Sequence, residues 1–190
     1  MPAAPSDEPL REQVQLGRWQ PDSHDDLTGI ISRHGFDLRL GKEWHRAERD
    51  HTPLSLLMID VDYFKAYNES NSRRMGDECL KTIAAALIGA MFRPTDLLAH
   101  LGGDKFAILL PGAEEKGARL VAARVRNLVN SLSIRHSGGE GGMVTVSIGL
   151  AEMVPTHGSI AAELIALADG ALAQAKRSGR DCIVSQDWIS

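Results

Sequence analysis

Cysteine is scarce in this chain. Its two cysteines, Cys79 and Cys182, lie far apart, and neither sits in a CxxC or Cys/His spacing. That pattern argues against a zinc site and a disulfide framework, and leaves each as a small core residue. An excess of one charge sign is lacking as well: 21 basic and 25 acidic residues leave a net charge of −4. With no global field drawing the protein onto nucleic acid or an anionic membrane, any anion it binds has to be captured locally. The N-terminus shows no basic-plus-apolar leader, and no run approaches the apolar length that spans a bilayer, so the expected compartment is the cytoplasm. Internal repeats are missing too. What remains is 190 residues with 43% hydrophobic content, enough for one ordinary domain with a real core.

Residues 1–24 are polar and proline-bearing and read as an N-terminal segment or linker, within which LREQVQLGRW has helical character. Residues 25–190 form the domain. FDLRLGKEWHRAERD has helical spacing, and PLSLLMIDVD is a continuous apolar run of strand length that ends in two acids. MGDECLKTIAAALIGAMF reads as a helix, LAHLGGDKFAILLP as two strands turned at a glycine pair, and EEKGARLVAARVRNLVNSL as a helix. MVTVSIGLAEM is a strand, SIAAELIALADGALAQAKRSG a helix that Ser159 caps and Gly179 ends, and DCIVS a closing strand. SGGEGG, at 137–142, reads as a flexible loop. This order predicts an α/β (α+β) fold of the split βαβ, ferredoxin-like kind: a βαββαβ core with a mixed, mainly antiparallel sheet flanked by helices.

Chemistry concentrates where the first long strand ends. Asp60 and Asp62 are two apart, so on a strand they share a face, and at the strand's end the backbone can turn and expose one of them. With Asp104 at the hairpin tip they form a set able to hold a hard divalent ion. Alternatively, DxD merely ends a strand in water. Lys105, beside Asp104, either helps such a site or disables it.

Five stretches in order, DDLTGIISRHGF, IDVDYFKAYNE with MGD, LGGDKF, VTVSIGLA and ADGALAQAKRSGRD, resemble the landmarks of a GGDEF domain, the diguanylate cyclase family. The resemblance spans about Asp25 to Val184 and implies the ferredoxin-like, nucleotidyl-cyclase-type fold inferred above. Active members condense two GTP molecules into cyclic di-GMP, one held by each subunit of an antiparallel pair. Carried over residue by residue, the resemblance makes Asp60, the Val61 carbonyl and Asp104 the magnesium ligands. Asn68 and Asp77 match the guanine-reading positions, and Lys65, Lys176 and Arg180 match the triphosphate-holding ones.

The departures matter more than the matches. Active members carry an acid where this chain has Lys105, and a protonated lysine neither accepts a proton nor ligates magnesium. A unit charge about 4 Å from another interacts by roughly 4 kcal/mol at an effective dielectric near 20, before solvent and salt relieve it. Glu69 follows Asn68, Ser72 and Arg73 replace the usual Gly-His pair, His100 replaces an arginine, and Ser32 an asparagine. A second constellation is in better order. Arg93 and Asp96 form an RxxD five residues before the first glycine, resembling the family's inhibitory site for cyclic di-GMP, to which Arg124 adds a further arginine. The alternative there is a surface ion pair across a turn begun by Pro94.

The resulting expectation is a degenerate GGDEF domain without catalytic residues, binding cyclic di-GMP through Arg93, Asp96 and Arg124 and signalling by contact with another protein. Its alternatives are a low-activity cyclase with product feedback and a GTP-sensing domain. No cofactor is required, magnesium entering only where GTP binding or activity survives. The expected partners are cyclic di-GMP, GTP as a further ligand and a protein, with no nucleic acid and no membrane, in a monomer or a ligand-linked homodimer.

Overall fold

The computed structural model describes residues 23–91 and 93–187. The N-terminal segment read as a linker therefore lies, apart from Ser23 and His24, outside the described residues. The elements run β1 (Ile31–Ser32), α1 (Arg33–Asp50), β2 (Leu54–Val61), α2 (Phe64–Ser70), α3 (Arg73–Ile88) and β3 (Leu97–Gly102). They continue with β4 (Lys105–Pro111), α4 (Glu115–Ser131), β5 (Val146–Met153), α5 (Ala161–Arg177) and β6 (Ile183–Asp187). One six-stranded sheet has the order β1-β3-β4-β2-β5-β6. The three central pairings are antiparallel, while the β1/β3 and β5/β6 pairs at the edges are parallel. The mixed, mainly antiparallel sheet flanked by helices is thus the one expected.

β2 lies inside the sheet with helices over both faces, which is why its sequence is an unbroken apolar run rather than an alternation. Leu57, Ile59 and Val61 point into one core, with Ile83 and Leu87 of α3 and Val121, Val125 and Val129 of α4. Leu54, Leu56 and Met58 point into the other, with Phe36, Leu40 and Trp44 of α1 and Leu164, Ala168 and Leu172 of α5. The helical spacing of those residues gives each helix one apolar stripe to lay on the sheet. Each fully buried large side chain contributes about 1.5 to 3 kcal/mol of transfer free energy.

Several local details differ from expectation. β1 and α2 were not anticipated; β1 is two residues that pair with Ala99 and His100, and α2 is only seven residues long. Ser159 does not cap α5: its hydroxyl donates to the Thr156 carbonyl at 2.7 Å, and Glu163 instead accepts from the Ile160 amide at 3.2 Å. Gly179, at φ 109°, does follow the helix end as expected. Cys79 is buried, whereas Cys182 is only half-buried and donates to the Ala175 carbonyl. Ser32, the residue in place of the family's asparagine, caps α1 by accepting from the Gly35 amide at 3.2 Å. No helix among the described residues is long and apolar enough to cross a membrane.

Candidate nucleotide and cyclic di-GMP sites

The end of β2, the β3–β4 turn, the start of α2 and the end of α5 converge at one end of the central strands. Register places Asp60 opposite Lys105 on one side and Ser147 on the other. The Val61 amide donates to the Asp104 carbonyl at 3.0 Å, so the hairpin tip is tied to the end of β2. The turn itself needs positive φ at Gly102 and Gly103, 98° and 63°, a region that favours glycine. Behind it, His100 is buried with Nε2 3.0 Å from the Gly103 carbonyl. Its Nδ1 stands 2.9 Å from Asp25 Oδ1. Burial alone would raise the Asp25 carboxyl, but bonds from the Thr28 hydroxyl, His100 and the Thr28 amide outweigh it and hold the group below its ordinary pKa. The early DDLTG stretch and the glycine hairpin are therefore one joined structure.

Asp60 and Asp62 do not behave as expected, because neither is exposed: each is 2% accessible. Helices cover both faces of β2, and the chain first reaches the surface at Tyr63, one residue past Asp62. Asp60 Oδ1 takes the Lys176 ammonium of α5 at 2.6 Å. Burial pushes the Asp60 carboxyl above its ordinary value, and the Asp104 charge adds to that, while Lys176 and Lys105 oppose it. Asp62 instead accepts from Thr145 Oγ1 at 2.8 Å, Ser147 Oγ at 2.7 Å and the Asp181 amide at 3.1 Å.

A raised carboxylate pKa contributes stability that is present below the unfolded pKa and lost as pH rises through the folded one. Lys176 limits that loss. Lys176→Met should therefore cost about 2 to 4 kcal/mol at pH 7, discounted from a fully buried pair because the lysine side chain is 35% exposed. The deficit should shrink as pH falls toward and below the Asp60 pKa. Urea unfolding at pH 7 and near pH 4 checks this, and a deficit independent of pH would reduce Lys176 to a packing residue.

Lys65, Asn68 and Asp104 come together in one open depression of about 430 Å³, which Arg73 also lines. Asn68 Oδ1 is buried without a hydrogen-bond partner and lies against Gly76, where an added Cβ would stand 1.8 Å from it. Glycine at 76 leaves the room that the Asn68 side chain occupies. Asp77, half-buried on α3, does not line the depression. Lys65 is exposed and 4.0 Å from Glu69, and Lys176 is joined to the site through Asp60. Arg180 lies with its guanidinium 4.2 Å above the Tyr63 ring and donates to its hydroxyl at 3.0 Å.

The RxxD lies elsewhere, in the loop before β3. The Asp96 carboxylate accepts from the Arg93 amide at 3.2 Å, and the Asp96 amide donates to the Arg93 carbonyl at 3.0 Å, closing a turn over Pro94 and Thr95. Both residues line a cavity of about 500 Å³ whose floor is Leu110 and whose far wall is Lys116, Leu120 and Val121 of α4. Arg124 is not in that lining; it reaches from α4 to the start of the same loop and donates to the Gly89 carbonyl at 2.9 Å.

Residues 22–182 match the family model described as "Diguanylate cyclase, GGDEF domain". The chain belongs to the GGDEF family. It is 34% identical over 172 residues to the probable diguanylate cyclase DgcT of Escherichia coli, a match covering 87% of this chain and 36% of that one. To diguanylate cyclase VdcA of Vibrio cholerae it is 32% identical over 177 residues, 92% of this chain and 50% of that one. The chain thus spans half or less of the length of these curated relatives. Among solved structures, diguanylate cyclase SiaD of Pseudomonas aeruginosa, in complex with its activator SiaC, superposes with a TM-score of 0.79 at 36% identity, covering 87% of this chain and 63% of that one. The GGDEF domain of DgcB from Caulobacter crescentus, in complex with cyclic di-GMP, gives 0.77 at 29% identity, covering 86% and 92%.

The magnesium implied for a GGDEF domain is a poor fit to the residues present here. Asp60 already carries an ammonium, Lys105 stands opposite it, and Asp104 is the remaining acid. Among the described residues no three His, Cys, Asp or Glu side chains gather as a metal-holding group. Sequence reading of this GGDEF domain also missed a support network. Arg126 of α4 forks onto the Asp181 carboxylate at 2.8 and 2.7 Å, Asn130 adds a contact at 3.2 Å, and Asp181 in turn leans on Asp62. Tyr63, the residue under Arg180, was likewise unremarked; its place directly after DVD was the only local signal.

Proposed function

We propose that this GGDEF domain is catalytically silent and serves as a receptor for cyclic di-GMP, bound at the cavity that Arg93 and Asp96 border and with Arg124 at its flank, and passes the signal on by binding another protein. The observation that carries this reading is the cavity of about 500 Å³ with an arginine and an aspartate held at its rim by their own turn. A guanidinium is suited to a phosphate or a guanine Hoogsteen edge, and a carboxylate to the donors of the Watson–Crick edge. Support also comes from DgcB, a relative solved with cyclic di-GMP, and from SiaD, a relative solved with a protein activator. Silence is supported by Lys105, a cation facing Asp60 across the strand pair. On this reading Asp60, the Val61 carbonyl and Asp104 are a vestige of a metal site, and Lys65, Asn68, Asp77, Lys176 and Arg180 of a GTP site.

Calorimetric titration with cyclic di-GMP tests the receptor. Arg93→Ala should weaken binding by about 1.5 to 3 kcal/mol, roughly tenfold to a hundredfold, the range for losing a hydrogen bond to a charged group. No binding to the unsubstituted chain would sink the receptor reading. Cyclic di-GMP made from GTP and magnesium, and lost in Asp104→Ala, would sink the silent one.

A further inference from the structure

We propose that the depression beside the glycine hairpin takes a triphosphate as the bare anion, without a divalent cation, because lysine ammonium groups already supply the positive charge a metal would bring. The ion pair between Lys176 and Asp60, at 2.6 Å, satisfies the deepest carboxylate of the site. An acid at position 105 would leave three carboxylates against Lys176, an excess of two negative charges that a divalent ion neutralises. With Lys105 in place, Asp60 and Asp104 are balanced by Lys105 and Lys176. Replacing an acid by a lysine moves the local charge by two units, which is the charge of one divalent ion. A metal added to this arrangement has to displace an ammonium from a buried carboxylate and sit beside a second cation.

The surroundings suit an anion. Lys65 and Arg73 line the depression together with Glu69, Gly103 and Asp104; counted with Lys105, Lys176 and Asp60 behind them, four cations meet three carboxylates, an excess of one positive charge. At Gly102 and Gly103 an added Cβ would meet nothing within 4 Å, so the face of the turn is open to a ligand. The volume, about 430 Å³, admits a nucleotide's phosphates rather than a single small ion. A cation bound to a triphosphate oxygen makes a strong charge-assisted contact, and an ammonium does so as a point charge, with no coordination geometry to satisfy.

This inference rests on the reading that the site does not turn over. The two fail differently: turnover appears as cyclic di-GMP formed with magnesium, whereas binding is read in chelator, where no metal-dependent product forms. The experiment is equilibrium titration of the whole chain with GTP, in EDTA and again in excess magnesium, with inorganic triphosphate as a competitor. The expected result is an affinity in EDTA within about threefold of that in magnesium, with inorganic triphosphate displacing GTP. Lys105→Glu should weaken binding in EDTA by about tenfold or more and recover it on adding magnesium. Lys105 is exposed, so this variant should fold, as its thermal unfolding will show. GTP binding that requires magnesium, no GTP binding at millimolar concentration, or a Lys105→Glu affinity unchanged in EDTA would each overturn the proposal.

Discussion

Asp62→Ala should cost about 3 to 5 kcal/mol of folding stability, with the damage centred on the loop that carries Arg180. Three donors converge on this one carboxylate: the Thr145 and Ser147 hydroxyls and the Asp181 amide. A buried donor left without an acceptor costs roughly 1 to 3 kcal/mol, and three neighbours that share one partner add less than independently. The loop has little slack to absorb the loss. Arg180 and Asp181 both hold left-handed φ, 63° and 41°, without being glycine. Each such residue costs roughly 1 to 2 kcal/mol, offset here by Asp62 from below and the Arg126 fork from the side. With Asp62 gone, the pair should relax and lift the Arg180 guanidinium off Tyr63. Urea unfolding gives the global loss, and hydrogen exchange at the Asp181 amide gives the local one. Asp62→Asn, which keeps one acceptor oxygen, should fall between the two. A loss below about 1 kcal/mol in the alanine variant would mean that water replaces the carboxylate and the loop is held by Arg126 alone.

What was legible in the sequence follows the range of the forces involved. The apolar run of β2 and the stripes of α1, α3, α4 and α5 are local patterns, and they gave the layers of the fold. The glycine pair marked the hairpin, and RxxD marked a turn that the structure closes through its own backbone. The two acids at the end of β2 were misjudged, though the run PLSLLMIDV contained the reason. A strand apolar on both faces is covered on both, so an acid at either register is inside and must find a partner there. Which partner was not readable: Lys176 reaches Asp60 from the last helix, and Asp181 reaches Asp62 from the loop after it. Such pairings are set by tertiary packing and leave no periodic trace. β1 was invisible for a different reason, since two residues held by parallel pairing to β3 carry no alternation. Ser159 looked like a cap by type, but its hydroxyl found a nearer carbonyl in its own turn.

The second large effect is expected at Gly149, where β5 passes beneath α5. A Cβ added there would stand 2.2 Å from the Ala168 carbonyl oxygen, 2.2 Å from the Leu172 nitrogen and 2.8 Å from its Cα. Every one of these atoms is helix backbone, so no side-chain rotation relieves the overlap and α5 has to move away from the sheet. Gly149→Ala should therefore destabilise by about 3 kcal/mol or more, at or beyond the upper end for overpacked cores. The contrast is Gly41→Ala, inside α1, where an added Cβ meets nothing within 4 Å and helix propensity should yield a gain of about 0.5 to 1 kcal/mol. Denaturant midpoints of the two variants should move in opposite directions. The consequence reaches the site, because α5 places Leu164, Ala168 and Leu172 in the core and Lys176 on Asp60. A helix lifted at Leu172 carries Lys176 with it, one turn further on, and leaves Asp60 buried without its cation. The deficit of Gly149→Ala should therefore narrow at acid pH in the same way as that of Lys176→Met, since protonating Asp60 removes the charge that the displaced lysine no longer meets. A deficit constant with pH would show that α5 pivots about its C-terminal end and keeps the ion pair.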